Sequence, residues 1–272
     1  MLPARLARSG TQSPVTIPPM LPILYQDDHV VVIHKPAGLL VHRSELDRHE
    51  TRFAVQLLRD QLGRHVHPAH RLDRGTSGVL VFALDKDGAR HLGGQFERQE
   101  VSKTYLAVVR GHPAEQGRID HALTRRRDDA EWVGSRSTDE AQDAITDFRR
   151  LATCELPHAV DRYPTSRYAL VELTPRTGRR HQIRRHLKHI AHPIIGDATF
   201  GKGRHNRLFQ ELFGCQRMLL ACARMQMVHP VSGQPLDLFA PLDGDFARVV
   251  DALGWQAALP SAFFTSLYAG AT

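Results

Sequence analysis

The stretch HRLDRGTSGVLVFAL, residues 70–84, places one acid, Asp73, between two arginines and then continues into an apolar run. The segment Gly-Thr-Ser-Gly at 75–78 is rich in turn-forming residues. The apolar run at 79–84 is too short for a confident helix, and its β-branched residues favour a buried strand. Asp73 is therefore expected at the end of a rigid element, at the edge of the core.

Strand and helix signals continue on both sides of this stretch. Upstream, two β-rich runs at 23–25 and 30–34 flank a turn, and apolar residues at helical spacing predict a helix over 51–62. Downstream, Asp85 is expected to cap a second helix. Further strands are predicted within 103–111, 144–152, 167–175 and 217–229, further helices over 179–191 and 245–253, and a long polar excursion over 112–141.

The order of these signals predicts the fold class. Strands outnumber helices and often follow one another directly, which favours an α+β fold with a central, mostly antiparallel mixed sheet flanked by helices. One domain is predicted over residues 20–260. A mobile, proline-containing tail is expected at 1–19, and a second tail at 261–272.

Composition narrows the possible partners. The 272 residues are 42% hydrophobic, which is enough for a sizeable core, and carry a formal charge of +7. A basic surplus favours polyanions, with nucleic acid first and an anionic membrane second, although a merely basic solvated surface has the same signature. Three cysteines without a C-x-x-C motif suggest a reducing, cytoplasmic setting. No apolar run approaches the roughly 20 residues of a membrane span.

Asp73 has two interpretations from the residues alone. An aspartate in a turn often bonds nearby backbone amides or neutralises an adjacent arginine. Alternatively, the flanking Arg71 and Arg74 keep the carboxylate ionised, and an ionised carboxylate at the end of a rigid strand can act as a nucleophile or a base.

The segment TGRRHQIRRHLKHIAHPIIGD, residues 177–197, is the second candidate site. Apolar residues at 183, 187 and 190 form a stripe suited to docking on the core. Like charges at i, i+4 and i+8 destabilise a helix slightly, so a chain that keeps them is expected to bind an anion there. The alternative is a solvated basic face. The predicted basic stripe consists of Arg180, Arg184 and Lys188.

Other motifs are less specific. Tyr105, in a predicted strand, is either half-buried packing or a ring that stacks on a base. The 17 histidines include close pairs, but no H-E-x-x-H motif and no cysteine pair completes a zinc site. The sequence has neither a P-loop nor a G-x-G-x-x-G motif after a strand. Metal and nucleotide cofactors are therefore not expected.

Four segments, in the same order along the chain, resemble motifs of the RluA-type pseudouridine synthases. Residues 70–84 resemble the H-R-L-D-x-x-T-S-G motif with its apolar strand. Residues 31–42, VVIHKPAGLLVH, resemble the Lys-Pro-x-Gly motif, and residues 103–111, KTYLAVVRG, the K-x-Y strand. Residues 178–197 resemble the fourth motif, G-R-x-H-Q-[LI]-R. The resemblance implies a pseudouridine synthase fold with its catalytic cleft on the sheet, and an RNA isomerase that needs no cofactor.

The resemblance also implies roles for individual residues. Asp73 matches the catalytic carboxylate, Arg184 the arginine that pairs with it, and Tyr105 the tyrosine that stacks on the base. Arg71 matches the arginine that helps to expel the nucleotide from its helix, and Ile183 the apolar residue against the base. The substrate and RNA contacts expected in total are Arg71, Ile183, Lys35, His70, Arg180 and Lys188.

Stretches outside the shared motifs, at 38–50 and 162–197, resemble family members that act on uridine 65 of tRNA. They predict an enzyme with tRNA as its partner, and we separately expect a monomer. Two departures from the family pattern are Gly75, where proline is frequent, and His192, where glycine is frequent. The alternatives are the same chemistry on ribosomal RNA and an RNA-binding protein without activity. Binding alone needs no ionised acid beside phosphates, so the intact Asp73 argues against the latter.

Overall fold

A ten-stranded sheet organises the parts of the chain that the computed structural model describes, residues 20–43, 50–124 and 140–264. The strands are β1 (Ile23–Gln26), β2 (Val30–Lys35), β3 (His67–Pro68), β4 (Ser77–Ala83), β5 (Ser102–Arg110), β6 (Gln116–Asp120), β7 (Ile145–Leu156), β8 (Ser166–Pro175), β9 (Leu220–Val228) and β10 (Pro235–Phe239). The helices are α1 (Ala54–Leu62), α2 (Lys86–Glu97), α3 (Gln182–His189), α4 (Gly203–Phe213) and α5 (Gly244–Ala252). The predicted tail at 1–19 lies outside the described residues.

The strand order is β1-β2-β4-β9-β5-β8-β7-β6, with β10 on β9 and β3 on β4. Strand β4 runs parallel to β9, and the other pairings between the strands named above are antiparallel. The predicted α+β class with a mostly antiparallel mixed sheet is confirmed. Strands β4, β9 and β5 lie side by side, so the ends of β4 and β5 can contribute to one site.

The opening stretch forms the strand that it predicts. All seven residues of β4 are buried. Gly78 joins β4 to β9 with a φ of 109°, and a Cβ placed there would lie 2.1 Å from the Cys222 carbonyl oxygen. Glycine is thus required on two grounds, a positive φ and a close backbone approach. The loop that bears Asp73 is held directly against the centre of the sheet.

We expect Gly78→Ala to lower the free energy of unfolding by about 3 kcal/mol or more, because the β4–β9 contact must open to admit the methyl group. Urea denaturation measures the change. Gly93→Ala in α2 is the matched control, since a Cβ there meets no atom within 4 Å. Alanine at that helical position should be neutral or stabilise by up to about 1 kcal/mol. Equal midpoints for the two variants would contradict the packing described here.

Several helix boundaries follow local chemistry. Asp85 caps α2 as predicted, with its Oδ1 accepting from the Gly88 amide at 2.7 Å. Helix α1 begins at Ala54 rather than 51, because Phe53 is extended and forms a β-bridge with Leu40. Helix α3 is shorter than predicted and spans 182–189 rather than 179–191. It packs its apolar face against β5 and β8.

Some elements lie where the sequence analysis placed none. Helix α4 forms in a segment whose glycines predict a loop. Strand β6 lies within the predicted polar excursion, of which residues 125–139 are outside the described residues. The boundary predicted at 260 is too early, because Ser261–Phe264 forms a 3-10 helix and Phe263 is buried in the core.

Candidate active site

A cleft of about 570 Å³ lies where the loop before β4, strand β5 and the start of α3 meet. Its walls come from segments that are far apart in sequence and are brought together by the β4–β9–β5 order of the sheet. Six of the nine predicted site residues line it, namely His70, Arg71, Asp73, Tyr105, Ile183 and Arg184.

Arg184 joins two carboxylates at the base of the cleft. Its Nη1 donates to Oδ2 of Asp73 at 3.0 Å, although the two residues are 111 positions apart. Its Nε and Nη2 donate to the two oxygens of Asp197 at 2.7 and 2.9 Å. The Asp73 side chain is 25% exposed, whereas that of Asp197 is fully buried. Asp73 is thus the acid that a substrate can reach, and Arg184 is fixed from behind.

Asp197 orients Arg184, and backbone amides of its own loop hold the Asp197 carboxylate in place. Its Oδ1 accepts from the amides of Thr199 and Phe200, each at 2.9 Å. Burial acts to raise the pKa of Asp197, but the hydrogen bonds and charge of Arg184 outweigh it, and the pKa is lowered. The Phe200 ring then lies 4.9 Å from the Arg184 guanidinium carbon. Sequence reasoning included Asp197 in a motif but gave it no role.

His181 is a second site residue to which sequence reasoning gave no role. Its Nε2 lies 3.8 Å from Oδ1 of Asp73, so this imidazole and Arg184 approach different oxygens of the same carboxylate. The residue has a left-handed backbone, with φ of 55°, directly before α3, and its ring meets Phe200 edge-on. A histidine in this uncommon conformation, inside a cleft, is typical of a functional position.

Tyr105 and Ile183 form the apolar side of the cleft. Tyr105 is held in the middle of the sheet, where it pairs with Leu173 of β8 and Cys222 of β9. Burial raises the pKa of Tyr105 well above its ordinary value, so its phenol stays protonated. Ile183 is 7% exposed. An aromatic ring and a branched aliphatic chain beside a carboxylate suit a flat, uncharged base.

The two arginines that flank Asp73 are placed differently by the structure. Arg74 donates to Glu50 at 2.7 Å and to the Gly38 carbonyl at 3.1 Å, which ties the loop to its neighbours. Arg71 is exposed and lines the cleft. Direct contact with the carboxylate comes from Arg184, a residue distant in sequence, because α3 begins beside the loop before β4.

Lys35 does not lie on an RNA-facing surface. It is completely buried, and its Nζ donates to the carbonyl oxygens of Pro36, Leu39 and Arg74 at 2.9, 2.6 and 3.3 Å. Burial, followed by the charge of Arg217, lowers the pKa of Lys35 to about 7. The prediction of an RNA contact is therefore wrong, since the ammonium is enclosed by the backbone that it organises.

His70 lines the cleft, but not as a cation. Its Nε2 accepts from the Val81 amide at 3.2 Å, and its ring stacks on Phe96 with centroids 4.8 Å apart. Burial, assisted by the charge of Lys103, lowers the pKa of His70 to about 3, so the ring is neutral near pH 7. Contact with substrate stays a prediction, and it would be made by a neutral ring.

Arg180 and Lys188 are exposed and stand outside the cleft lining. Lys188 Nζ lies 5.8 Å from the Phe200 ring centroid. Because Arg184 turns inwards to two carboxylates, the three predicted cations do not form one anion-binding stripe. Arg180 and Lys188 remain predicted phosphate contacts.

The described ranges contain neither a metal-binding cluster nor a helix that could span a membrane. No three side chains of His, Cys, Asp or Glu come together there in a way that could hold a metal ion. His186, one of the paired histidines, instead contacts Thr146 Oγ1 at 2.9 Å and the His121 carbonyl at 3.0 Å. Every helix in these ranges is too short or too polar to cross a bilayer.

The fold and the cleft define a class of RNA-modifying isomerase. The family model for RNA pseudouridylate synthase matches residues 29–189, a range that includes Asp73, Tyr105 and Arg184. The chain belongs to the RNA pseudouridylate synthase family. Two human structures have a similar fold. RNA pseudouridylate synthase domain containing 4 is 29% identical with a TM-score of 0.64, and the match covers 85% of this chain and 92% of that chain. RNA pseudouridylate synthase domain containing 1 is 25% identical with a TM-score of 0.63, and the match covers 91% of this chain and 98% of that chain.

Similar proteins from bacteria are named tRNA pseudouridine synthase C. The protein from Vibrio vulnificus (strain CMCP6) is 48% identical over 243 residues, which cover 89% of this chain and 99% of that protein. The protein from Pectobacterium carotovorum subsp. carotovorum is 51% identical over 241 residues, or 89% of this chain. The match spans 64% of the length of the Pectobacterium protein.

Proposed function

We propose that this protein converts uridine 65 of tRNA to pseudouridine, with Asp73 as the catalytic carboxylate. The observation that supports this most directly is the 3.0 Å contact between Arg184 Nη1 and Asp73 Oδ2 within the cleft. The tRNA substrate is supported by the names of the similar bacterial proteins. The choice of uridine 65 rests on the resemblance of residues 38–50 and 162–197.

The reaction changes the uracil atom through which the base is attached to the ribose, from nitrogen 1 to carbon 5. The bond between ribose carbon 1′ and uracil nitrogen 1 breaks, the uracil turns, and carbon 5 bonds to carbon 1′. Carbon 5 loses a proton and nitrogen 1 gains one, so nothing is added or removed overall. Asp73 acts by adding to carbon 1′ or carbon 6, or by taking a proton from carbon 2′. Each route needs a carboxylate held in a fixed orientation, and the Arg184 guanidinium holds Asp73 through its hydrogen bond to Oδ2.

The rest of the cleft holds the base while it is detached. Uracil carries negative charge after bond breaking, and fixed donors and cations stabilise that charge in an enclosed site. Tyr105 and Ile183 provide an apolar wall on which the base can turn without losing contact. The protonated Tyr105 phenol is also placed to exchange a proton with the substrate.

A stacked uridine cannot reach this cleft, so the target nucleotide must leave the RNA helix. Arg71 is exposed beside the cleft and is suited to occupy the space that the nucleotide vacates. Exposed cations such as Arg180 and Lys188 would then hold the phosphates on either side. We further propose that the enzyme is cytoplasmic and works as a monomer.

Defined transcripts test the target. Wild-type protein is incubated with a tRNA transcript that has uridine 65, and with a matched transcript in which cytidine replaces it and the paired base is changed to guanosine. We expect pseudouridine at position 65 of the first transcript and none in the second. Modification at another uridine in both would overturn the assignment of position 65, and modification of ribosomal RNA fragments alone would overturn the tRNA substrate.

We expect activity to need no added cofactor and to survive chelation, because the isomerisation is redox-neutral and this chain's own carboxylate supplies the reactive group. The measurement is the single-turnover rate with and without an excess of EDTA over total metal. A rate lost on chelation and restored by zinc would contradict this prediction and would direct attention to the histidines.

A further inference from the structure

Lys103 lies in the cleft, two residues before Tyr105 on the same strand. Alternate residues of a strand point to the same face, and the side chains of both residues line the cleft. Two residues advance a strand by roughly 7 Å, so the lysine is displaced from the tyrosine by about the width of a nucleotide base. Its ammonium can therefore approach a different part of the substrate from the base that Tyr105 contacts.

The surroundings of Lys103 are unusual for a lysine. Its Nζ lies 6.0 Å from the centroid of the Phe96 ring. The nearby Cys222 thiol is fully buried, and burial raises its pKa to about 12, so it is neutral. Among the described residues, Lys103 makes no ion pair with a carboxylate. Burial lowers the pKa of Lys103, which means that its surroundings disfavour the charged form.

Two other arginines that line the cleft already have hydrogen-bond partners of their own. Arg184 is paired with Asp73 and Asp197, and Arg179 donates to the Asp143 carbonyl at 3.0 Å. On the wall beside Lys103, His70 is neutral and is stacked on Phe96. Among the described residues, this half of the cleft therefore presents a partly desolvated cation that is not paired with a carboxylate.

We propose that Lys103 binds the phosphodiester group next to the target uridine and so forms a phosphate subsite within the catalytic cleft. The proposal rests on the proposed function, because the anion comes with an RNA nucleotide held by Asp73 and Tyr105. A buried or half-buried ammonium is costly until an anion arrives, and the arriving phosphate recovers that cost. Lys103 would select a nucleotide still linked in a chain over a free uridine.

The test compares Lys103→Met with Lys86→Met, an exposed lysine at the start of α2 that is not part of the cleft lining. Methionine keeps the length and apolar character of the stem, so the variant should fold. Binding to the uridine-65 transcript is measured from 50 to 300 mM salt or so, alongside single-turnover rates at saturating RNA. We expect Lys103→Met to bind about 10-fold more weakly near 100 mM salt, with a salt slope shallower by about one phosphate contact.

The expected rate for Lys103→Met at saturating RNA is within about 3-fold of wild type, because the lysine holds a phosphate rather than the reacting base. Lys103→Arg should restore most of the affinity, and Lys86→Met should match wild type. Unchanged affinity and salt slope would overturn the subsite. A lower rate with unchanged affinity would also overturn it, by placing the ammonium on the uracil. A wild-type protein that fails to modify the transcript would instead overturn the proposed function, since binding is scored separately.

Discussion

Asp73→Asn is expected to lower the single-turnover rate of pseudouridine formation by at least about 10³-fold. The amide has nearly the same shape as the carboxylate and its oxygen can still accept from Arg184, so the cleft should keep its geometry. It is neither a nucleophile nor a base, so none of the three chemical routes is open to it. Release of tritium from carbon 5 of labelled tRNA measures the rate, and filter binding measures RNA affinity.

The matched control is Asp87→Asn in α2, where the native aspartate is highly exposed and paired with Arg90. That variant should have the wild-type rate. Asp73→Asn should bind tRNA at least as tightly as wild type, because it removes one negative charge from a site for a polyanion. A rate for Asp73→Asn near that of wild type would remove this residue from the mechanism.

Arg184→Lys should lower the chemical step by about 10- to 100-fold while RNA affinity changes little. Arg184 makes three directed hydrogen bonds to two carboxylates, and a lysine ammonium has neither the reach nor the planar geometry to reproduce them. Asp197, which is fully buried, would lose part of its pairing. We therefore also expect a loss of stability of a few kcal/mol, about the cost of breaking a buried ion pair.

Arg180→Lys is the control for Arg184→Lys, because Arg180 is exposed, lies outside the cleft lining and is proposed to meet phosphate. It should leave the chemical step nearly intact. Rates must be compared well below the melting temperature of the less stable variant, so that loss of fold is not taken for loss of catalysis. Small and equal effects at the two positions would mean that the contact with Asp73 has no catalytic role.

The parts of the fold that could be predicted from the sequence are those in which one local signal dominates. The apolar run at 79–84 gives β4, and Asp85 gives the start of α2, because burial and capping act within a few residues. Strand β6 was missed since it is a polar edge strand in which Ile119 is buried but its neighbours are not. Helix α4 had a usable signal, with His205, Leu208 and Phe209 buried at helical spacing, but the glycines before it suggested a loop.

Some features of the candidate site could likewise be predicted from the sequence, and others could not. The four motifs identified Asp73, Tyr105 and Arg184 through resemblance, and the structure places all three in one cleft. Sequence alone could not show that Arg74 turns towards Glu50, or that Lys35 is enclosed by carbonyl oxygens. The sequence gives the charge of a side chain but not the direction in which the side chain points. That direction depends on packing between segments that are distant along the chain.

The central claim is that this cleft isomerises a tRNA uridine by means of Asp73. The most direct test incubates the wild-type protein and Asp73→Asn with total tRNA and total ribosomal RNA from cells that lack the modification, and then maps pseudouridine in both pools. The account predicts a new pseudouridine at position 65 of tRNA with the wild-type protein, none with Asp73→Asn, and none in ribosomal RNA with either. New pseudouridine in ribosomal RNA alone, or equal modification by both proteins, would contradict it.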